Sequence, residues 1–185
     1  MKFYSRNDCR FCKSIKLETI VELTPTPWCD DYRKKEDIYE PKQEVVNLDL
    51  VRCKICNNVQ LKYILNHEEI YLNYTYETSS STGLESHFLD SAKNIVNILK
   101  PNMNNIVLDI GSNDGILLNC YKKLGMKVLG IDPMPGIAKK AEIRGVNTIE
   151  DFFNKKNSSY IKENYGFPSI ITSNNLVANI DNLDD

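Results

Sequence analysis

Residues 106–118 read IVLDIGSNDGILL. Ile106 to Ile110 is a short apolar run rich in β-branched side chains, which passes without a linker into Gly111-Ser112-Asn113-Asp114-Gly115. Leu117, Leu118, Tyr121 and Leu124 then recur at helical spacing. The stretch therefore predicts a buried strand, a glycine turn and an amphipathic helix, the opening unit of an α/β sheet. Gly111 permits close backbone approach, and Gly115 lets the helix begin beneath a ligand.

The pattern is D-x-G-x-x-x-G, whereas a dinucleotide pyrophosphate calls for G-x-G-x-x-G. Asp109 at the strand end opposes a pyrophosphate and tolerates a positively charged sulfonium. S-adenosylmethionine is therefore the expected cofactor, ahead of NAD. The next unit agrees. Residues 127–131 form a second strand ending in Asp132, whose carboxylate is suited to accept both ribose hydroxyls. Ile137, Ala138, Ala141 and Ile143 mark a second helix closed by Gly145, and residues 146–149 a third strand. Asp151 and Phe152 follow at the edge expected to hold an adenine. A short helix around 158–164, a fourth strand over 169–173 and the amides Asn174 and Asn175 come next, with 176–180 starting a further helix. In an open α/β sheet the carboxyl end of a strand borders the crevice, so these amides suit the methionyl part of the cofactor or the substrate.

Outward from this region toward the N-terminus, Cys9 and Cys12 are two residues apart, and Cys53 and Cys56 repeat that spacing. Two C-x2-C turns complete a four-thiolate tetrahedral zinc site with no position left for water, which marks it as structural. Arg10, Lys13, Arg52 and Lys54 are placed to offset the thiolate charge. Cys120 lies in an apolar helical stretch and reads as core, while Cys29 stays off the ligand set. Pro25 and Pro27 enforce an extended path ahead of Trp28.

Between the two regions, Tyr71, Tyr74 and Tyr76 precede Ser79-Ser80-Ser81, a hydroxyl-rich stretch that reads either as lining for a polar ligand or as a solvated linker. From Gly83 the period becomes helical through Leu84, Phe88, Ala92, Ile95, Val96 and Leu99, with His87 expected on or near the apolar side and Pro101 ending the run. Three regions follow: a zinc-binding module over 1–66, a tyrosine-rich arm and connecting helix over 67–103, and an incomplete S-adenosylmethionine-binding domain over 104–185.

With 42% hydrophobic and 26% charged residues the 185-residue chain falls among soluble globular proteins. The N-terminal residues MKFYSRNDCRFC have no apolar h-region, so an untargeted, cytoplasmic chain with reduced thiols is expected. A net charge of -2 with both signs dispersed argues against a nucleic-acid partner, and no apolar run is long enough to cross a membrane.

Together these segments resemble the N-terminal part of the sugar C-methyltransferase family, whose members methylate a ring carbon of nucleotide-linked deoxyhexoses. The resemblance rests on CRFC, TPTPWCDDY, VRCKICNNVQL, NYTYETSSSTGLESHF, VLDIGSNDGILL, VLGIDP, IEDFF and ITSNNLVANIDNLDD in one order. It implies a zinc module, a Rossmann-like class I methyltransferase domain and a further C-terminal domain, of which the first and about half of the second are expected here. By this resemblance Gly111, Ser112, Asn113, Gly115, Asp132, Asp151, Phe152 and Asn174 belong to the cofactor side. Tyr74, Tyr76 and Asn175 face a nucleotide-linked keto-deoxysugar. The family's usual histidine is replaced by Asn179, and its catalytic histidine with an acidic neighbour lies beyond Asp185. The chain is accordingly expected to be a truncated enzyme or, alternatively, an inactive cofactor-binding remnant that needs a missing C-terminal half.

Overall fold

The computed structural model describes residues 2–28, 32, 34–37, 43–72 and 74–184. The chain divides into two units. The first runs to Ile70 and takes in Asp181–Asp184, and the second is Tyr71–Ile180. Cys29 lies outside the described residues.

The first unit is built from short strands: β1 (Phe3–Ser5), β2 (Leu17–Val21), β3 (Thr26–Pro27), β4 (Val45–Val46), β5 (Leu50–Cys53), β6 (Val59–Leu61) and β7 (Tyr63–Leu65). The strands β2, β5 and β6 form an antiparallel sheet in the order β2-β5-β6, while β1 pairs with β7 and β3 with β4. The extended path read at Pro25 and Pro27 becomes β3, and Lys2 Nζ stands 5.1 Å from the centroid of the Trp28 ring. Among the described residues, the buried hydrophobic side chains of this unit are Cys9, Val46, Val51 and Cys53. Two of those four are thiols, so apolar burial alone supplies little of the stability a unit of this size needs. Asp181 takes hydrogen bonds from Tyr4 Oη and Arg6 Nη1 within the same unit.

A short helix, α1 (His67–Tyr71), ends in the first residue of the second unit, which continues through residues 74–81 to α2 (Leu84–Leu99). Then come β8 (Ile106–Ile110), α3 (Ile116–Lys123), β9 (Lys127–Ile131), α4 (Ile137–Ile143), β10 (Thr148–Ile149), α5 (Lys155–Tyr165) and β11 (Ile170–Thr172). The four strands form a parallel sheet in the order β10-β9-β8-β11, so the first and fourth strands of the unit are neighbours, as expected for a Rossmann-like arrangement.

Alternation along β8 explains the layering. Val107 packs with Ala92, Leu118, Tyr121, Ala141 and Ile170 in a core that α2, α3 and α4 share. Ile106 and Leu108 point the other way, to Leu129, Ile131 and Ile161 of α5. Cys120 is fully buried in the first of these cores. His87, by contrast, is exposed on α2, because the apolar face is satisfied by Phe88, Leu89, Ile95 and Val96.

Several boundaries differ from the sequence reading. The third strand is only Thr148–Ile149, since Val146 turns inward to pack rather than to pair. The helix α5 starts earlier, at Lys155, because Asn154 caps it by accepting from Asn157 N at 2.9 Å. Past β11 the chain makes a single 3-10 turn, Val177–Asn179, in place of a longer helix. Asn175 there adopts φ 54° and its carbonyl accepts from Asn179 Nδ2, which breaks the helical path.

Candidate functional site

Cys9, Cys12, Cys53 and Cys56 bring their four sulfurs within 4.8 Å of one another. Two turns of the same geometry achieve this. Lys13 N returns to Cys9 O and Asn57 N to Cys53 O, each at 2.9 Å. Cys9 N reaches Ser14 O at 2.9 Å and Cys53 N reaches Asn58 O at 2.8 Å. The residue after each second cysteine is left-handed, Lys13 at φ 60° and Asn57 at φ 62°, and this folds each knuckle back on itself. Backbone N–H groups of Cys56 and Ile55 pull the Cys53 thiol down to about 6, whereas burial and hydrogen bonds among the sulfurs push Cys12 up to about 12, so the four thiols do not ionise alike. Four convergent thiolates in two knuckles fit zinc and leave no coordination position open.

Sequence reading missed what locks the knuckles together. Gln60, 6% exposed, accepts Arg10 N at 2.9 Å through Oε1 and donates through Nε2 to Asp8 O at 2.8 Å. Asn58 Nδ2 also donates to Gln60 Oε1, at 3.1 Å. Its signal was a polar residue on β6 between Val59 and Leu61, both of which are exposed. Arg52 and Lys54, read as offsetting thiolate charge, both pair with Glu18.

In the second unit the turn between β8 and α3 is held by its own backbone. Gly111 N and Ser112 N donate to Ile131 O at 2.8 and 3.2 Å, and Gly115 N donates to Ser112 O at 3.1 Å. Asn113 N donates to Asp132 Oδ2 at 2.8 Å, while Met134 N donates to Asp132 Oδ1 at 3.0 Å. A phosphate-binding loop presents such N–H groups to its ligand. Here Gly111, Ser112 and Asn113 have theirs engaged internally.

Both glycines have steric reasons. At φ 77° Gly111 faces Leu176, whose Cδ2 would lie 3.3 Å from an added β-carbon. At φ 75° Gly115 would bring a β-carbon to 3.1 Å from Ala141 Cβ. Ser112 packs down against Gly130, and the hydroxyls of Ser112, Thr148 and Ser173 are buried without a hydrogen-bond partner.

Carboxyl groups surround this turn. Burial pushes Asp109 up to about 7, against a 2.6 Å hydrogen bond from Thr172 Oγ1 that lowers it. Burial likewise raises Asp132, opposed by the backbone N–H groups of Met134 and Asn113. Asp114, fully buried, is paired with Arg144, Nη2 to Oδ2 at 3.3 Å. A phosphate would meet an unfavourable field here.

The remaining predicted residues follow the same ends of the parallel strands. Asp151 and Phe152 follow β10 after Glu150, and there Asp151 Oδ1 accepts Phe152 N at 2.7 Å and Oδ2 accepts Asn157 Nδ2 at 2.9 Å. Asn174 and Asn175 follow β11 and are exposed. Tyr74 and Tyr76 lie on the 74–81 arm, their ring centroids 6.2 Å apart, and Tyr76 Oη is 2.8 Å from Ser81 Oγ.

With this geometry in place, comparison with known proteins divides along the chain. Residues 9–71 match a methyltransferase-associated family model described as "Putative zinc binding domain". Its match spans all four clustered cysteines and Gln60, so the donor set and the family description agree. The chain as a whole is similar to the C-methyltransferase NovU of Streptomyces niveus, with 24% identity over 177 residues. That similarity covers 96% of this chain and 42% of the relative, so the chain spans less than half the relative's length. Among the described residues no helix is long and apolar enough to cross a membrane.

Proposed function

We propose that this chain is the zinc-bearing and cofactor-binding part of an S-adenosylmethionine-dependent C-methyltransferase that acts on a 4-keto deoxyhexose nucleotide-sugar. The observation that carries the reading is the turn after β8. Its first three N–H groups are engaged internally, carboxyl groups rim it, and it lies on a chain aligned over 96% of its length with a C-methyltransferase. Such a turn suits a cofactor without phosphates and disfavours a dinucleotide.

S-adenosylmethionine, when bound, supplies an electrophilic methyl group. The chain's own residues bind and orient. Asp132 keeps a further lone pair on each oxygen beyond the backbone N–H groups it accepts, and it takes the ribose hydroxyls. Gly111, Ser112, Asn113 and Gly115 shape the turn, Asp151 and Phe152 border the adenine, and Asn174 borders the methionyl end. Tyr74 or Tyr76 donates to a sugar oxygen and Asn175 orients the ring, which aligns the keto-sugar for carbon attack. Asn179 is no proton acceptor for a C–H bond, so the carbon base is assigned to a part of the enzyme outside this chain. The zinc-binding domain, 1–66 in this division, stabilises; residues 67–103 carry the sugar-facing arm and 104–185 the cofactor site.

Calorimetry with S-adenosylmethionine and, separately, NAD tests the assignment. Binding of the first, weakened about tenfold or more by Asp132→Ala, is expected. Binding of NAD instead, or of neither, would overturn the reading.

A further inference from the structure

Both functional atoms of the Asn113 side chain are turned toward the tyrosine arm. Oδ1 accepts Thr78 N at 2.9 Å and Nδ2 donates to Tyr76 O at 2.9 Å. The neighbouring Asp114 continues the pattern, with Oδ2 accepting Ser79 N at 3.1 Å. From α4, Arg144 grips Asp114 twice, Nε to the backbone O at 3.1 Å and Nη2 to Oδ2 at 3.3 Å. One turn earlier on the same helix, Lys140 Nζ reaches Glu77 Oε1 at 2.5 Å. Four consecutive arm residues, 76 to 79, are therefore each tied to the glycine turn or to α4. Asn113 is 8% exposed and its own N–H is held by Asp132 Oδ2. One residue thus joins the carboxylate at the end of β9 to the arm.

We propose that Asn113 is a positioning residue: its side chain latches residues 76–79, and with them Tyr76, to the turn, with Arg144 holding the second half of the latch through Asp114. This deepens the reading of the turn as the cofactor site and rests on it only for the consequence, which is that the sugar-facing hydroxyls are set in register with the cofactor. A cofactor that stiffens the turn then stiffens the arm, and the acceptor meets a prearranged surface.

The left-handed φ of 48° at Asn113 suits glycine, so Asn113→Gly removes the latch and keeps the backbone. Amide hydrogen exchange of the chain reads the result residue by residue. Loss of one buried hydrogen bond predicts about tenfold faster exchange at Thr78. Arg144→Met, whose side chain grips Asp114 and stands outside the proposed cofactor set, is expected to keep the affinity for S-adenosylmethionine within about threefold of the wild type. Arg144→Met, on a partly exposed side chain, is expected to speed exchange at Ser79, and Arg144→Lys to restore most of the protection. Unchanged exchange at Thr78 in Asn113→Gly would overturn the latch. So would lost cofactor binding with a wild-type arm, which would make Asn113 a cofactor ligand. Faster exchange in a chain whose wild type fails to bind S-adenosylmethionine supports the latch and removes the proposed cofactor alone. If Asn113→Gly does not fold, the Arg144 pair decides, with unchanged Ser79 exchange in Arg144→Met counting against the proposal.

Discussion

The backbone N–H of Asn113 donates to the buried Asp132 carboxylate at 2.8 Å, tying the turn after β8 to the end of β9. Asp132 Oδ1 meanwhile accepts Met134 N at 3.0 Å, so one carboxylate braces two loops at the carboxyl edge of the sheet. The residue proposed to hold the ribose is also a structural strut, and its removal has two separable costs.

Asp132→Ala is expected to destabilise the second unit by about 1–3 kcal/mol, because two backbone donors lose their acceptor. Denaturant unfolding in the absence of any ligand measures that cost. Asp132→Asn, which can still accept a hydrogen bond, should lose less.

Asp109 makes stability depend on pH. Its carboxyl titrates near about 7 in the fold against an ordinary 3.8. Between those values the folded chain keeps a proton that the unfolded chain releases. Stability therefore falls as pH rises from about 4 to about 7 and levels off above. Asp109→Asn retains an acceptor for Thr172 Oγ1 and abolishes this titration. It is expected to stabilise the chain at pH 8 by about 1–3 kcal/mol and to flatten the slope. Thermal unfolding across that pH range checks it, and a slope as steep as the wild type's would contradict the assignment.

Cys53→Ser is expected to abolish stoichiometric zinc and unfold the described residues of the first unit, since metal binding supplies on the order of 10 kcal/mol to such modules. Metal analysis and exchange protection over those residues report it. The second unit, with its own two-sided core, should keep its protection.

Gln60→Leu tests the polar tie between the knuckles. The substitution suits a strand position by hydropathy, yet it strands Arg10 N and Asp8 O without their partners. Zinc affinity is expected to fall about 10- to 100-fold, as for other residues that orient metal ligands. Competition with a chromophoric chelator gives the number.

Gly115→Ala combines a left-handed backbone with a 3.1 Å approach to Ala141, and is expected to cost about 2–4 kcal/mol. Gly136, also left-handed but with open space around it, should tolerate alanine better.

The sheet of the second unit was legible because its central strands β8 and β9 are largely buried and read as continuous apolar runs. Its Ile106–Ile110 and Lys127–Ile131 strands stand where the apolar runs lie. The four cysteines were legible from spacing alone. What escaped was set by partners distant in sequence. Gln60 looks like a surface residue because its neighbours Val59 and Leu61 are apolar, but the inward position must satisfy backbone groups of the first knuckle. His87 sits among residues of helical period, yet it falls on the solvent side of α2. Asn113 and Asp114 read as turn formers, and nothing local in the sequence reveals that both reach an arm some 35 residues earlier.

Of the buried hydrophobic residues described in the first unit, half are the metal's own ligands. Ion and core are thus one object there, and they fail together. In a cell starved of zinc, this stretch would offer proteases an unfolded handle while the neighbouring sheet stayed intact, so the supply of metal would govern how long the whole polypeptide survives.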